Sequence, residues 1–232
     1  MGVAAIIPAA GAGKRFRGTT RKLLINLRGR PLLVQTLRVL QQSPSIRWMV
    51  VVVRAGDQAK TQALLKRYGI TKALPPCVGG ASRAESVARG CAALPPQAEW
   101  VLVHDAARPC VSLQLIERAV AAAKRHGAVA CGLPATLTVK AVDEQNEVRL
   151  TLDRDRLWFV QTPQVFRRDW LAQAIKQAEH RLAEFPDDAS IVESAGFPVR
   201  MIPGDPLNVK VTTNEDVVLA EAIFTRRTRQ SA

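Results

Sequence analysis

Cysteine is scarce and scattered. Cys77, Cys91, Cys110 and Cys131 form no CxxC pair and have no histidine beside them, a spacing that supports neither a zinc site nor a disulfide framework. All four are expected to behave as small buried hydrophobes. Long apolar runs are also missing: WMVVVV (48–53) is strand-sized, well short of the ~20 residues of a membrane span. The N-terminus has no charged region ahead of its first apolar run, so no signal peptide is read and the cytoplasm is the expected location. Aromatics are few, with one tyrosine and six phenylalanines, and there is no stacking motif or recognition-helix signature. A nucleic-acid-binding protein therefore lacks its usual supports.

What is present is the composition of a folded globular chain, 47% hydrophobic and 23% charged, which argues against disorder. At 232 residues it suits one α/β domain with a small appendage. The formal net charge of +13 implies affinity for anions: nucleic acid, acidic lipid heads or phosphorylated small molecules. The charge gathers at Lys14, Arg15, Arg17, Arg21 and Lys22, and again at Arg226, Arg227 and Arg229. The final TRRTRQSA reads as a solvated, frayed tail.

Short apolar runs alternate with helical periodicity. Strands are predicted at Val3–Pro8, Trp48–Arg54, Trp100–His104 and Ala128–Leu133, each of the kind buried on both faces of a parallel sheet. Helices are predicted at Pro31–Gln42, Gln58–Tyr68, Arg83–Leu94, Leu113–His126 and Asn214–Arg227. Ser82 with Glu85 forms a capping box, and Gly127 after Lys124, Arg125 and His126 suits a helix C-terminus. Together these predict an α/β fold, a Rossmann-like, mostly parallel sheet with helices on both faces. Residues 136–161 break the rhythm: polar and apolar residues alternate around a DEQNE turn, which reads as a protruding β-hairpin arm. Its apolar face must be buried on its own domain or on a second subunit. With no internal repeat or long linker, residues 1–232 form one domain carrying this arm.

The stretch IIPAAGAGKRF (6–16) admits three phosphate-binding readings. A Walker loop, GxxxxGK[ST], fails because Pro8 stands where the first glycine belongs and Arg15 replaces the hydroxyl residue. A dinucleotide fingerprint is weakened by Phe16 at the third glycine and by Arg54, not an acid, closing the second strand. The third reading fits better. The small residues Ala9, Ala10, Gly11, Ala12 and Gly13 let a triphosphate lie against backbone N–H groups, and Lys14, Arg15 and Lys22 supply cations. Asp105 follows an apolar strand, where ligands of open α/β sheets bind, and could support a magnesium ion beside phosphates or instead cap a turn and pair with Arg108.

In order along the chain, PAAGAGKR with Lys22, VGGASRAESV, VHDAARP, LDRDRLW, TPQVF and NVKVT resemble the 2-C-methyl-D-erythritol 4-phosphate cytidylyltransferases, from Ile6 to about Ala222. The resemblance implies transfer of a cytidylyl group from CTP to a phosphorylated polyol, with Mg2+, in a homodimer, with neither nucleic acid nor membrane as partner. It implies catalytic roles for Arg15, Lys22 and Lys210, the last set between apolar residues of NVKVT (208–212), which reads as a strand-like run. It places Pro8, Ala9, Ala10, Gly11, Ala12, Gly13, Lys14, Gly79, Gly80, Ala81, Ser86, Asp105 and Ala106 around the nucleotide. Asp105, Arg108, Thr138, Arg154 and Thr162 would meet the acceptor, with Thr138, Arg154 and Thr162 coming from the partner subunit and Asp105 also holding the metal. Leu23, Ala81 and Pro186 depart from the family pattern, which usually has glutamine, an acidic or polar residue, and threonine there. The same chemistry with another polyol phosphate, such as ribitol 5-phosphate, is the nearest alternative.

Overall fold

The structure is a computed structural model and describes residues 2–11 and 22–230. In chain order its strands are β1 (Gly2–Pro8), β2 (Asn26–Leu27), β3 (Arg30–Pro31), β4 (Ile46–Val53), β5 (Cys77–Val78), β6 (Ala98–Val103), β7 (Ala128–Pro134), β8 (Val139–Val142), β9 (Val148–Leu152), β10 (Trp158–Arg167) and β11 (Arg200–Pro203). The helices are α1 (Leu32–Gln42), α2 (Gln58–Arg67), α3 (Arg83–Ala92), α4 (Leu113–His126), α5 (Arg168–Gln177), α6 (Asp188–Ser194) and α7 (Asn214–Gln230).

Seven strands form one sheet in the order β11-β7-β10-β6-β1-β4-β5. Only β10 runs against its neighbours, pairing antiparallel with β6 and β7. Alternation along β1 explains why the sheet is buried on both sides. Val3, Ala5 and Ile7 join the core under α1 and α4, while Ala4 and Ile6 join the core under α3, α5 and α6. Each valine or isoleucine among them, fully removed from water, contributes roughly 1.5–3 kcal/mol and each alanine about 1 kcal/mol or less, and a strand so placed reads as a continuous apolar run. Gly90 lets α3 press on the sheet: a Cβ there would lie 2.6 Å from Ile6 Cγ2 and 2.9 Å from Val52 Cγ2.

Capping follows the sequence reading. Ser82 accepts from the Glu85 N–H at 3.1 Å, and Glu85 reaches back to the Ala81 N–H at 2.9 Å, one residue before the usual partner. Gly127 ends α4 with φ +85°. Cys91, Cys110 and Cys131 are buried and Cys77 is half-buried, all as free thiols.

Four expectations are corrected. Pro31 does not open α1; it pairs in β3 and serves as the N-cap. The arm is shorter than 136–161, because residues 158–161 pair with β7 and so belong to the main sheet; the free hairpin is β8–β9. NVKVT (208–212) is not a strand. It is an extended segment pinned where the Val211 N–H donates to Ala107 O at 2.8 Å, with Val211 buried. The last helix runs on to Gln230 and takes in part of the predicted tail.

Candidate active site

Three strands deliver the site. Pro8, Ala9, Ala10 and Gly11 follow β1, Arg54 follows β4, and His104 and Asp105 follow β6. All three ends lie on the carboxyl edge of the parallel strands, where open α/β sheets bind ligands. A cleft of about 710 Å³ opens there, lined among others by Pro8, Ala9, Ala10, Gly11, Gly80, Ala81, Ser86, Asp105, Ala106 and Lys210. Residues that the sequence reading assigned to the nucleotide, and the Lys210 it assigned to catalysis, thus line one cleft, across some 200 residues of chain separation. The expectations for Ala12, Gly13, Lys14 and Arg15, and for the Lys22 side chain, lie outside the described residues.

Gly79 and Gly80 shape the far wall. A Cβ on Gly79 would stand 2.7 Å from both Ala10 Cβ and Ser86 Oγ, so the two small-residue loops approach only because glycine is there. Ser86 is buried. Its hydroxyl donates to Ser82 O at 2.9 Å and accepts from the Gly80 N–H at 3.2 Å. Its immediate role is to fix the glycine turn.

Charge centres on Asp105. Its carboxylate meets Lys210 Nζ at 2.6 Å, Arg83 Nε at 3.1 Å and Arg108 Nε at 3.8 Å. Burial opposes its ionisation, but Arg83 and Lys210 hold the carboxyl well below the usual carboxylate range. Pairing with Arg108 is the weakest of the three contacts, so the turn-capping alternative does not account for this carboxylate. Arg83 also donates from Nη2 to Asp188 at 2.8 Å. Asp188 is wholly buried; burial raises its pKa against the pull of Arg83, and its Oδ1 has no hydrogen-bond partner.

Thr162 sits against the same loop. Its hydroxyl accepts from the Asp105 N–H at 3.1 Å and lies 3.1 Å from His104 Nδ1. The other ring nitrogen faces Arg108 O at 3.2 Å, an acceptor, so Nε2 carries the hydrogen. Burial pushes the imidazole down to about 4, and it is neutral at physiological pH. Asn208 donates to Thr162 O at 2.7 Å, and Arg108 donates to Asn208 O at 2.7 Å. These bonds tie Arg108, Thr162 and the Lys210 segment into one unit.

Thr162 therefore does not travel with Thr138 and Arg154. It lies in β10 beside Asp105 and, with Arg108, Lys210 and Pro186, lines a smaller hollow adjoining the cleft. Thr138 and Arg154 line neither space. Arg154 stays on the arm, donating to Thr136 O at 3.1 Å. The resemblance groups the threonine with them as residues of the partner's arm, but the main sheet takes over at Trp158.

Sequence reasoning missed Arg83, Asp188, His104 and Asn208. One signal was available for Arg83: an arginine in the first turn of α3 sits at the positive end of a helix dipole, where a cation is disfavoured unless carboxylates await it.

As for a metal, no group of three or more potential ligands occurs among the described residues. Asp105 could offer what magnesium takes from a protein in a nucleotide site, one or two carboxylate oxygens with phosphates and water completing the shell. Its oxygens are engaged by Arg83 and Lys210. The donor set fits an ion that arrives with a polyphosphate, not one held by the protein alone.

The family model of 2-C-methyl-D-erythritol 4-phosphate cytidylyltransferase matches residues 3–226. The chain is 38% identical over 226 residues to the protein of that name from Desulforamulus reducens, covering 97% of each. It is 39% identical over 223 residues to the one from Syntrophus aciditrophicus, covering 96% of this chain and 95% of that one. Among solved structures, the 4-diphosphocytidyl-2C-methyl-D-erythritol synthase of Anaerococcus prevotii superposes with a TM-score of 0.85 at 29% identity, covering 97% and 96% of the two chains. The 2-C-methyl-D-erythritol 4-phosphate cytidylyltransferase of Thermus thermophilus does so with a TM-score of 0.76 at 34% identity, covering 96% and 98%.

Proposed function

The chain belongs to the 2-C-methyl-D-erythritol 4-phosphate cytidylyltransferase family, and from that premise we propose how its site works. It joins CTP and 2-C-methyl-D-erythritol 4-phosphate into 4-diphosphocytidyl-2-C-methyl-D-erythritol and pyrophosphate, a step in isoprenoid precursor biosynthesis. A phosphate oxygen of the acceptor attacks the α-phosphorus of CTP, and the bond from that phosphorus to the β-phosphate bridging oxygen breaks. The protein does almost no covalent work. It aligns two polyanions and neutralises charge on the way to the transition state.

The observation that carries this reading is the placement of Lys210 and Arg83 on one carboxylate, Asp105, at the mouth of a cleft walled by two small-residue loops. The loop at Ala9–Gly11 offers the Ala10 and Gly11 N–H groups to the triphosphate, while the Gly79–Ala81 turn, whose own N–H groups donate to Val53 O, Ser86 Oγ and Glu85 Oε2, gives the base a close-fitting wall. Asp105 holds Lys210 close to both cleft and hollow, from where its ammonium reaches the α-phosphate. Arg15 and Lys22 are the expected cations for the β- and γ-phosphates. Magnesium, bound to the nucleotide and supported by Asp105, would neutralise the triphosphate further.

The acceptor's phosphate falls to Arg108 at the hollow and to Arg154 and Thr138 on the arm of a second copy, making the site composite. In support, the arm exposes Val142, Val148 and Leu150, apolar surface that a partner would cover. Both substrates are membrane-impermeant phosphate esters, which suits a cytoplasmic enzyme. The test is pyrophosphate release with magnesium, each of the four nucleoside triphosphates in turn, and methylerythritol phosphate or ribitol 5-phosphate as acceptor. Release with CTP and methylerythritol phosphate alone is expected; release with another pair would move the specificity, and none with any pair would overturn the reading.

A further inference from the structure

Arg54 ends the second strand of the sheet at the rim of the cleft, and nothing in the mechanism above uses it. Its guanidinium donates from Nε to Ala10 O at 3.0 Å and from Nη2 to Gly11 O at 3.0 Å. One planar fork thus holds two successive carbonyls of the loop that leaves β1. We infer that Arg54 is a positioning residue that presets this loop for the polyphosphate, an inference resting on the nucleotide reading given above.

The physical reason lies in peptide geometry. In a trans peptide the C=O of Ala10 and the N–H of Gly11 belong to one planar group and face opposite sides. Turning the carbonyl toward Arg54 turns the Gly11 N–H away from it. Carbonyl oxygens left unpaired in a phosphate loop would repel the ligand. Here those of Ala10 and Gly11 are drawn onto a cation, and the loop approaches its anion with donors forward. The start of the loop is fixed as well, since the Ala9 N–H donates to Val52 O at 2.7 Å. The opposite wall repeats the device once: Arg89 donates from Nη1 to Gly79 O at 2.7 Å. A lysine could not replace Arg54 in this role. Its ammonium is a point charge on a flexible stem, without the fixed fork that meets two acceptors at set spacing.

The test compares wild type with Arg54→Lys and Arg54→Gln. Binding of CTP, inorganic pyrophosphate and CMP is measured by calorimetry, alongside the Michaelis constant for the acceptor and amide exchange of Gly11. Both variants are expected to bind CTP and pyrophosphate roughly tenfold more weakly, with CMP and the acceptor constant within about twofold, and to exchange the Gly11 amide faster. Wild-type affinity for CTP in Arg54→Lys would show that charge, not the fork, matters and would overturn the inference. Equal losses for CTP and CMP, or unchanged Gly11 exchange, would overturn it too. A wild-type protein that binds neither CTP nor pyrophosphate would defeat the nucleotide reading instead, and Gly11 exchange would still report on the clamp.

Discussion

Replacing Arg83 with methionine is the sharpest test of the charge network. Asp188 has no exposed side-chain surface, its Oδ1 has no partner, and its Oδ2 depends on Arg83 at 2.8 Å. Removing the guanidinium leaves a buried carboxylate uncompensated, which typically costs about 3–5 kcal/mol. Arg83 itself is 30% exposed, so water already weakens the pair and the lower end, about 3 kcal/mol, is the expectation. For a chain of this size that corresponds to a melting temperature lower by roughly 6–12 °C. The deficit should also depend on pH. Burial raises the Asp188 pKa even with Arg83 present, and without it the rise is larger. A carboxyl whose folded pKa lies above its unfolded value of about 4 keeps a proton that the unfolded chain gives up, so stability falls as pH climbs through that window. Thermal unfolding followed by circular dichroism at pH 5 and pH 8 should show the larger loss at pH 8. Adding Asp188→Asn should recover part of it. A shift below about 2 °C, or a loss identical at both pH values, would refute the reasoning.

Lys210→Ala should leave the melting temperature within about 2 °C, since Asp105 keeps Arg83 and Arg108 beside it, while steady-state turnover falls at least a hundredfold through lost transition-state charge stabilisation; near-normal turnover would remove Lys210 from the mechanism. Arg154→Ala should raise the Michaelis constant for the acceptor and spare that for CTP, and an effect confined to CTP would contradict its placement. His104, held neutral to about pH 4 by burial, takes up its proton in the unfolded chain near pH 6.5, so stability should decline as pH falls from about 6.5 to 4, by at most about 3 kcal/mol. Denaturant titrations should show that decline, and His104→Gln should lack it. Gly127→Ala forces a Cβ into the Trp170 ring at φ +85° and should cost about 2–3 kcal/mol, read as a lower urea midpoint.

Much of this was legible from the residues. Apolar runs such as Val3–Pro8 announced strands buried on both faces, and Ser82, Glu85 and Gly127 marked helix ends through local chemistry that tertiary context did not override. The limits of the arm were not legible, because Trp158–Gln161 alternates like a hairpin strand while its actual partner, β7, lies more than twenty residues upstream. NVKVT has the apolar–polar spacing of a strand, yet it is held by a bond from the Val211 N–H to Ala107 O and belongs to no sheet. Arg83, Asp188 and His104 escaped notice because their roles exist only between segments distant in sequence. A buried pair joining residues 83 and 188 leaves no local pattern beyond a cation in the first turn of a helix.

The direction of β10 has a consequence for how such an enzyme could be diversified. Because this strand runs against its neighbours, its beginning lies at the carboxyl edge where the other strands end. A hairpin inserted just before it therefore emerges beside the chemistry while leaving every connection of the parallel strands untouched. On the proposed reading the nucleotide meets loops anchored in the parallel strands, whereas the hairpin forms a sheet of its own and can lengthen, shorten or vary in sequence without touching them. With the arm meeting the acceptor together with Arg108, as proposed, selection for a new acceptor can act on that insert and leave the nucleotide-binding half as it is.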